Sequence, residues 1–576
     1  TKMGREKRKI KSFLRKYQED IQKEAQVLLN QEMPKLTEQE FALYEQTGNR
    51  LVYENKYFSR RKFLMVFGLQ VWLEKGREKI YSEKLEAVIA EICKEQCWAL
   101  PAHVDRTIPG WELTVDLFAA ETAQALSEII SVEKSFIRRE VRNLAKKEIY
   151  RRVLNPFLSV KSPYAWWENC TLNWCAVCNG SIGSAAMYLM HKEPERQREC
   201  LKRVTENMKY FLAGFGEDGA CLEGLSYFTY GMTYFTGFAE QLLEFTKGKE
   251  DLFANPKVEK IAGFQQKCYF GNGRTLSFSD GNSKEHFRAG LSSYLAMRYE
   301  SVRLPSFSLA ANLTEDTCYR WMGAFRDLVW TQKYLEKTEK ESSFFPEEEK
   351  SGQITLPGSQ WVICENDTGT GMAVKGGHNG EPHNHNDVGS FLFFSGEEFF
   401  LPDLGAGEYT KNYFNEHRYE IFCNHSFSHN VPVIRGRGQQ EGTQHCCTRF
   451  ETDENGYVAL EFEKAYEENA AEQMVRSLRF EFSSGKLFVK DEFWKCGEIQ
   501  ENLISYIEPV IEKDRFLLTG EKASCCIQTQ GKQLWTEEVK HALHNGKIIS
   551  VYRMLWEVEE RGEYACTEFS VEVSKK

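Results

Sequence analysis

The spacing of apolar residues changes along the chain, and in the N-terminal half it is the spacing of an α-helix. Apolar residues in the N-terminal half recur every three or four positions, which places them on one face of a helix. Breaks rich in glycine and aspartate separate these stretches, for example at 214–219 and 279–282. The pattern predicts many medium-length helices in an α-solenoid or an (α/α) toroid over residues 1–345. The clearest stripes are Ile10, Phe13, Leu14, Tyr17, Ile21, Ala25 and Leu28, and then Val115, Ala119, Ala123, Leu126 and Ile130.

The second period is two, and it begins after a charged patch at 336–352 that we interpret as a solvated linker. Alternating apolar residues separated by turn sequences are typical of antiparallel strands. Hairpins are predicted at Ser395-Gly396-Glu397, at Ser483-Ser484-Gly485 and, with the strongest signal, at Asn455-Gly456. Short strands of this kind continue to the C-terminus and predict an antiparallel β-sandwich over residues 346–576. The expected fold class is therefore α+β multidomain, with a helical domain followed by an all-β domain.

Length, composition and charge limit the classes of protein to consider. At 576 residues the chain exceeds the usual size of a single hydrophobic core, and a hydrophobic content of 41% argues against disorder. A formal net charge of −10 excludes a globally basic nucleic-acid binder, so an anionic substrate would need a local basic patch. We expect no membrane span, because no run of about 18 apolar residues is present.

The N-terminus and the cysteines indicate a cytoplasmic protein. The first residues are charged and lack the apolar segment of a signal peptide. The 17 cysteines are an odd number with irregular spacing, which suits reduced thiols better than a disulfide framework. Cys175 and Cys178 have zinc or redox spacing, but we interpret them as small buried residues on a helix, since no second pair lies nearby. The sequence leaves the oligomeric state open.

A histidine-rich segment runs directly into an apolar stretch at Phe391. In an extended chain side chains alternate, so His383 and His385 are expected to point the same way. Two imidazoles that converge at the start of a strand could both bind a metal. Alternatively, one could bind a metal while the other contacts the substrate. Asp403 and His429 follow downstream as further candidates. The alternative is a polar turn that caps a strand.

A second polar segment lies in the helical half and combines tryptophans, asparagines and tyrosines. It includes Trp166, Asn173, Trp174 and, further along, Tyr227 and Tyr230. Aromatic rings stack on sugar faces, while amides and phenols bind hydroxyls and carboxylates, so these residues suit a sugar cleft. The alternative is that they are core residues of a helical array.

Taken together and in this order, these segments resemble the heparinase II/III family of polysaccharide lyases, including its oligoalginate lyase relatives. The resemblance covers roughly residues 110–440. It implies an N-terminal (α/α) toroid and a C-terminal antiparallel β-sandwich with the active site in the cleft between them. The motifs that carry it are Asn173-Trp174-x-x-Val177-Cys178-Asn179-Gly180, Asp218-Gly219-x-x-x-Glu223-Gly224-x-x-Tyr227, His383-x-His385-x-Asp387-x-Gly389-Ser390-Phe391, Asp403-Leu404-Gly405-Ala406-Gly407-Glu408-Tyr409 and His429-Asn430-Val431-Pro432.

The resemblance implies cleavage of a uronic-acid glycosidic bond by β-elimination, which leaves an unsaturated uronate end. Asn173 would hold the uronate carboxylate, Tyr227 would be the acid or acid/base, and His383 the base or its partner. Asn179 is an alternative to Asn173, and Tyr230 is an alternative to Tyr227. Substrate-binding candidates are Trp174, Asn179, Glu223, Tyr230, Tyr413 and Arg418, with Lys411 as another source of positive charge and Tyr409 and Tyr419 as further candidate tyrosines.

In several relatives a zinc ion is held in the β-domain, and by resemblance its ligands here would be His385, Asp403 and His429. Such an ion would organise the loop that carries His383 rather than perform the chemistry. The expected partner is an anionic uronate-containing oligo- or polysaccharide, most of all a glycosaminoglycan, with alginate as the alternative. Two other functions remain open: a zinc-dependent hydrolase with Glu408 or Asp387 as base, and a protein that binds carbohydrate without cutting it.

Overall fold

The computed structural model describes residues 2–271, 273–340 and 351–576. The described chain forms two compact units. The helical unit comprises the described parts of Thr1–Phe215, Tyr227–Gln266 and His286–Glu347, and the β unit comprises those of Gly216–Ser226, Lys267–Glu285 and Glu348–Lys576. Two short segments from the N-terminal half therefore belong to the β unit. The predicted boundary at residue 345 lies outside the described residues and stays a prediction.

The helical period of the N-terminal half is confirmed by α-helices throughout the first unit. The apolar stripe of the first helix is buried, from Ile10 to Leu28. The described residues contain the α-helices α1 (Lys2–Leu29), α2 (Glu38–Thr47), α3 (Leu51–Glu74), α4 (Lys79–Cys93), α5 (Leu117–Val132), α6 (Arg139–Ile149), α7 (Asn155–Ser159), α8 (Asn173–Leu189), α9 (Pro194–Ala213), α10 (Leu225–Phe245), α11 (Pro256–Ala262), α12 (Phe264–Cys268), α13 (Ala289–Arg298) and α14 (Trp321–Lys340).

Helices of the first unit pack closely, and glycines permit the closest approaches. The first helix packs on α3 and on the last helix, α14, while α8 packs on α5 and α9. A Cβ atom added at Gly183 of α8 would lie 2.5 Å from the Phe238 ring of α10. One added at Gly237 of α10 would lie 2.7 Å from Met322 Sδ of α14. These contacts hold α10 between α8 and α14.

The C-terminal part consists of antiparallel strands, as the period of two predicts. They form sheets of five (β1-β2-β3-β5-β6), nine (β14-β15-β16-β20-β12-β11-β10-β9, with β19 on β20), four (β17-β18-β13-β7) and two strands (β4-β8). The strands are β1 (Gly352–Leu356), β2 (Trp361–Glu365), β3 (Thr370–Lys375), β4 (His378–Asn379), β5 (Phe391–Ser395), β6 (Glu398–Leu401), β7 (Val433–Ile434), β8 (Gly442–Cys446), β9 (Arg449–Thr452), β10 (Tyr457–Glu461), β11 (Gln473–Glu481), β12 (Lys486–Trp494), β13 (Ile499–Ser505), β14 (Val510–Glu512), β15 (Arg515–Thr519), β16 (Ala523–Gln528), β17 (Leu534–Ala542), β18 (Ile548–Glu557), β19 (Glu560–Arg561) and β20 (Tyr564–Lys575).

One hydrophobic core joins the three larger sheets into a sandwich. It includes Val374 of the five-stranded sheet, Leu478 of the nine-stranded sheet and Trp556 of the four-stranded sheet. Strand β13 of the four-stranded sheet is buried on both faces, because Leu503 faces this core while its neighbour Ile504 faces a second one. The second core packs the segment around Leu404 and Tyr413 onto that sheet. The segment that carries Leu404 and Tyr413 therefore packs directly on the four-stranded sheet.

All three predicted hairpins are confirmed: β5 pairs with β6, β9 with β10, and β11 with β12. Cys175 and Cys178 are buried on α8, as expected, and all the cysteines are free thiols. The start of the charged patch, up to Lys340, is the end of α14 rather than linker, and residues 341–350 lie outside the described residues. None of the described helices is long and apolar enough to cross a membrane.

Candidate active site

Two loops from the N-terminal half supply acidic side chains to the β unit. Gly216–Ser226 carries Glu223, and Lys267–Glu285 carries Asp280. The Ser277 hydroxyl donates to the Asp403 carbonyl oxygen over 3.1 Å and attaches the second loop to the β unit. A close approach at Gly405, whose φ is +63°, completes the attachment, because a Cβ there would lie 1.9 Å from the Gly281 carbonyl oxygen.

The Asp280 carboxylate is the centre of the candidate site. His383 Nδ1 donates to its Oδ2 over 2.9 Å, and His385 Nε2 donates to its Oδ1 over 2.9 Å. The Tyr413 hydroxyl donates to Oδ1 over 2.6 Å, and the Arg418 guanidinium lies 3.4 Å from Oδ2. One buried carboxylate thus fixes both histidines of the His-x-His motif, and its ionic state is set by these donors.

The backbone around His383 is not the extended strand that the sequence pattern predicts. His383 has φ +53°, in the left-handed region, and the segment forms turns before β5 begins at Phe391. The extended reading was wrong because the strand starts later than the histidines. Both imidazoles nevertheless reach the same carboxylate. A left-handed residue other than glycine is uncommon and is often found where function constrains the backbone.

Hydrogen bonding and charge set the ionisation of this group. Burial alone would raise the pKa of Asp280, but the hydrogen bonds from His383 and His385 and the charge of Arg418 hold that pKa well below its usual range. Burial alone would lower the pKa of His383, but hydrogen bonds to Asp280 and Glu223 raise it to about 9. Glu223 Oε2 lies 3.3 Å from His383 Nε2, so both ring nitrogens face carboxylates.

His385, Asp403 and His429 form a buried group that could hold a metal ion. Their ligand atoms all lie within 4.8 Å of one another. Among the described residues, His385 Nδ1, Asp403 Oδ2 and His429 Nδ1 have no hydrogen-bond partner of good geometry. The opposite nitrogen of each ring is engaged, by Asp280 for His385 and by the Cys423 carbonyl oxygen, at 2.9 Å, for His429. Two imidazoles, each oriented by a hydrogen bond at its opposite nitrogen, and one carboxylate are a suitable donor set for a metal.

A buried ion pair lies beside the His385–Asp403–His429 group. Lys375 Nζ and Asp387 Oδ1 are 2.8 Å apart, and both side chains are almost completely buried. The other oxygen of Asp387 lies 3.6 Å from His429 Nδ1. Asp387 is therefore a further acidic group beside His429, and Lys375 balances its charge.

The predicted substrate-binding residues of the β unit differ in accessibility. Tyr413 is completely buried, and burial together with the nearby Asp280 charge raises its pKa far above the usual value. Arg418 is half-buried, with its guanidinium 4.7 Å from the Tyr413 ring centroid. Tyr409 is also half-buried and donates to Asp280 over 3.3 Å. Lys411 is exposed. Tyr413 in this position supports Asp280 rather than presenting its ring to a ligand.

In the helical unit the structure brings Asn173 next to the start of α10. Asn173 is the buried first residue of α8, and a Cβ added at Gly231 would lie 3.3 Å from its Cβ. Tyr227 lies one turn before Gly231 on α10 and is half-buried. Asn173 and Tyr227 therefore belong to two helix starts that touch.

The two alternatives in this unit are engaged elsewhere. The Asn179 amide donates to the carbonyl oxygens of Glu168 and Cys175, over 3.1 and 2.8 Å, so it holds the helix core together. The Tyr230 hydroxyl donates to the Glu121 carboxylate, and the Arg320 guanidinium lies 4.0 Å from the Tyr230 ring centroid. Burial raises the pKa of Tyr230 well above its usual value. Asn179 and Tyr230 are thus held within the helical unit, and the assignments to Asn173 and Tyr227 stay predictions.

Asp280 is not among the site residues that the sequence predicts. Ser279-Asp280-Gly281-Asn282 has the composition of a break between helices, yet Asp280 is the hydrogen-bond partner of both motif histidines. The only signal was an aspartate beside glycine in a short polar loop. His378 and His425, which had no assigned role, accept hydrogen bonds from the backbone N–H groups of Gly380 and Phe427 and stabilise turns.

Comparisons with known proteins agree with this architecture. Residues 349–541 match the family model described as heparinase II/III-like, C-terminal. No curated protein matches the sequence. A structure of heparinase III is 13% identical with a TM-score of 0.63, and the match covers 94% of this chain and 86% of that chain.

Two further solved structures share the fold. The heparan sulfate lyase from Pedobacter heparinus is 14% identical with a TM-score of 0.54, covering 98% of this chain and 89% of its own. The chondroitin AC lyase of Streptomyces coelicolor A3, in complex with chondroitin sulphate, is 9% identical with a TM-score of 0.54, covering 97% of this chain and 79% of its own. At these identities the likeness concerns the fold. The sequence likeness to the heparinase II/III-like family therefore lies in residues 349–541.

Proposed function

We propose that this protein is a polysaccharide lyase that cleaves uronic-acid glycosidic bonds by β-elimination, with a glycosaminoglycan as its substrate. The observation that carries the proposal is the convergence of His383 and His385 on Asp280, next to the His385–Asp403–His429 group. Both histidines lie in the segment that matches the family model. Solved structures of the same fold are named as lyases of heparan sulfate and chondroitin. Those names support the choice of an anionic glycan.

β-Elimination sets a defined chemical task. A base removes the proton at C5 of the uronate, the C5–H electrons form the C4=C5 double bond, and the C4–O bond breaks. The leaving oxygen takes up a proton from an acid. The C5 proton is only weakly acidic while the uronate carboxylate is ionised, so a donor must stabilise the charge that develops on that carboxylate.

We assign these tasks by the family resemblance, residue by residue. Asn173 would donate its amide to the uronate carboxylate, and Tyr227 would act as the acid or acid/base at the ring. His383 would be the proton-carrying partner, since both its nitrogens face carboxylates, those of Asp280 and Glu223. Asp280 is a positioning residue in this scheme, because it holds His383 and does not itself reach substrate.

We also propose that His385, Asp403 and His429 bind zinc. When bound there, the ion would neutralise buried charge and fix the loop before β5. The chain's own contribution is the orientation of both rings, which Asp280 and the Cys423 carbonyl oxygen hold by their far nitrogens. The loop that carries His383 would then have the same geometry before and after substrate binding.

The test is incubation with heparan sulfate, hyaluronan, chondroitin sulfate and alginate, followed by ultraviolet absorbance and by an assay for reducing ends. Elimination forms a conjugated double bond, so absorbance and new ends should rise together on at least one glycosaminoglycan. New ends without absorbance would replace this proposal with zinc-assisted hydrolysis. Cleavage of alginate alone would identify the protein as an oligoalginate lyase instead. Binding of a glycan without new reducing ends would identify it as a carbohydrate-binding protein.

A further inference from the structure

A second group of partly exposed rings lies in the helical unit, beside Asn173. The Trp166 and Trp174 ring centroids are 4.8 Å apart with the rings at 47°, and the Trp174 and His103 centroids are also 4.8 Å apart with the rings at 72°. We call Trp166, Trp174 and His103 the aromatic row. Trp174 directly follows Asn173 in α8, so the row begins at the residue assigned to the uronate carboxylate.

The outer ring of the row is presented by a rigid turn. Trp166 is 58% exposed, although it sits in a short helical turn whose next residue, Trp167, is fully buried. The indole N–H of Trp167 donates to the Val115 carbonyl oxygen over 2.9 Å, and the Glu168 carboxylate accepts from Arg203 over 2.7 Å. An exposed tryptophan on an anchored turn offers a large flat face with little conformational entropy to lose on binding.

His103 adds a polar group of fixed orientation to the row. Its Nδ1 lies 2.7 Å from Asp116 Oδ2, and a carboxylate can only accept, so Nδ1 carries the hydrogen. Asp116 is itself held by the backbone N–H groups of Ala119 and Leu100, at 2.7 and 3.0 Å. Within the part of the chain that the structure describes, His103 Nε2 has no hydrogen-bond partner and is not a buried unsatisfied atom.

We infer that the aromatic row is a sugar-binding subsite for the pyranose ring next to the uronate at Asn173, an inference that rests on the proposed lyase function. That ring stacks on Trp174, the following ring stacks on Trp166, and His103 Nε2 accepts a hydrogen bond from a hydroxyl of the ring on Trp174. Asp116 is the positioning residue for His103. A flat apolar face combined with one oriented acceptor matches a pyranose, which has C–H groups on its faces and hydroxyls at its edge.

The first experiment measures binding without turnover. Calorimetry in a Tyr227→Phe background would use hexasaccharides and disaccharides of heparan sulfate, chondroitin sulfate and alginate as probes. Trp166→Ala should weaken hexasaccharide binding about 2- to 10-fold and leave disaccharide binding unchanged, because Trp166 lies one ring beyond Trp174. Phe245→Ala is the matched control: this ring is 45% exposed at the end of α10, and its loss should change neither affinity.

The second experiment separates the two nitrogens of His103. In His103→Asn the side-chain amide can replace the Nδ1 donor to Asp116 while Nε2 is lost, and in His103→Gln an amide stands near the Nε2 position. We expect His103→Asn to weaken hexasaccharide binding about 2- to 10-fold at unchanged thermal stability, with partial recovery in His103→Gln. A purely structural histidine would show a lower melting temperature instead.

The outcomes distinguish the subsite from the lyase. Equal hexasaccharide affinities for Trp166→Ala, His103→Asn and the parent would overturn the subsite, even if the wild-type enzyme cleaves these glycans by elimination. Failure of every probe to bind would also overturn it. If the variants lose affinity as expected while the wild type forms no unsaturated ends, the subsite stands and the lyase proposal falls.

Discussion

His383 and Asp280 are 103 positions apart in sequence, yet His383 Nδ1 donates to Asp280 Oδ2 over 2.9 Å. The other carboxylate oxygen accepts from His385 Nε2, so one side chain holds both the proposed catalytic histidine and a proposed metal ligand. Movement of either ring must therefore act on the other. This coupling makes Asp280 the most informative residue to substitute.

Asp280→Asn should lower kcat by about 10- to 100-fold and leave KM nearly unchanged, because the amide NH2 that replaces one carboxylate oxygen cannot accept the hydrogen bond of its histidine. The same variant should bind zinc more weakly in a metal titration, which measures the His385 side of the coupling independently of activity. Asp453→Asn, in an exposed hairpin, serves as the control and should match wild type in both assays. Unchanged kcat and zinc affinity in Asp280→Asn would refute the coupling.

Tyr227→Phe should reduce elimination by about 10²- to 10⁴-fold, the usual loss when a general acid or base is removed. Tyr230→Phe is its matched control on the same helix, since its hydroxyl is already hydrogen-bonded to Glu121. We expect this control to keep most of its activity and to lose some thermal stability. The reverse result, with Tyr230→Phe inactive and Tyr227→Phe active, would exchange the two assignments.

Zinc should raise the melting temperature of the metal-free protein. A ligand that binds only the folded state stabilises it by about 2.7 kcal/mol at a free concentration of 100 times Kd. His429→Ala should abolish this rise, because it removes one of the three converging ligands. His425→Ala, four positions earlier, should retain it, since His425 accepts only a turn N–H. An equal rise in both variants would place the metal elsewhere.

Stability should fall with rising pH through the titration of Glu121. Burial raises the pKa of this carboxyl from 4.5 to about 7, in spite of the nearby Arg320. The folded state thus binds the proton more tightly than the unfolded chain, so ionisation costs folding free energy. The cost is absent below about pH 4.5, grows up to about pH 7 and is constant above it. The melting temperature of wild type should drop more across this window than that of Glu121→Gln, and parallel curves would contradict the shift.

The parts of the fold that depend on local sequence were predictable. The stripe from Ile10 to Leu28 is buried on one helix face, and Asn455-Gly456 turns between β9 and β10, because period and turn chemistry act over a few residues. The order of motifs also pointed to His385, Asp403 and His429, which the structure brings together. The identity of the metal and the catalytic roles stay predictions.

What the sequence could not reveal depends on distant pairing. Asp280 is an unremarkable loop aspartate until the loop docks on the β unit, and nothing within a few residues of it signals a histidine partner. The left-handed backbone of His383 likewise follows from that pairing and not from local propensity, which favours an extended chain. Tyr413 was a candidate ligand contact by residue type, whereas its burial is set by the sheet beneath it.

The allocation of Gly216–Ser226 and Lys267–Glu285 to the β unit has a practical consequence for dissecting this protein. A truncated version that starts near residue 351 would retain every histidine of the motif and the whole sandwich. It would lack Asp280 and Glu223, the two acidic residues whose carboxylates contact His383. Its imidazoles would be free to reorient, and its inactivity would say nothing about the catalytic groups it still contains. Complementation in trans with two peptides, spanning 216–226 and 267–285, would be the appropriate way to ask whether both contacts to His383 can be restored.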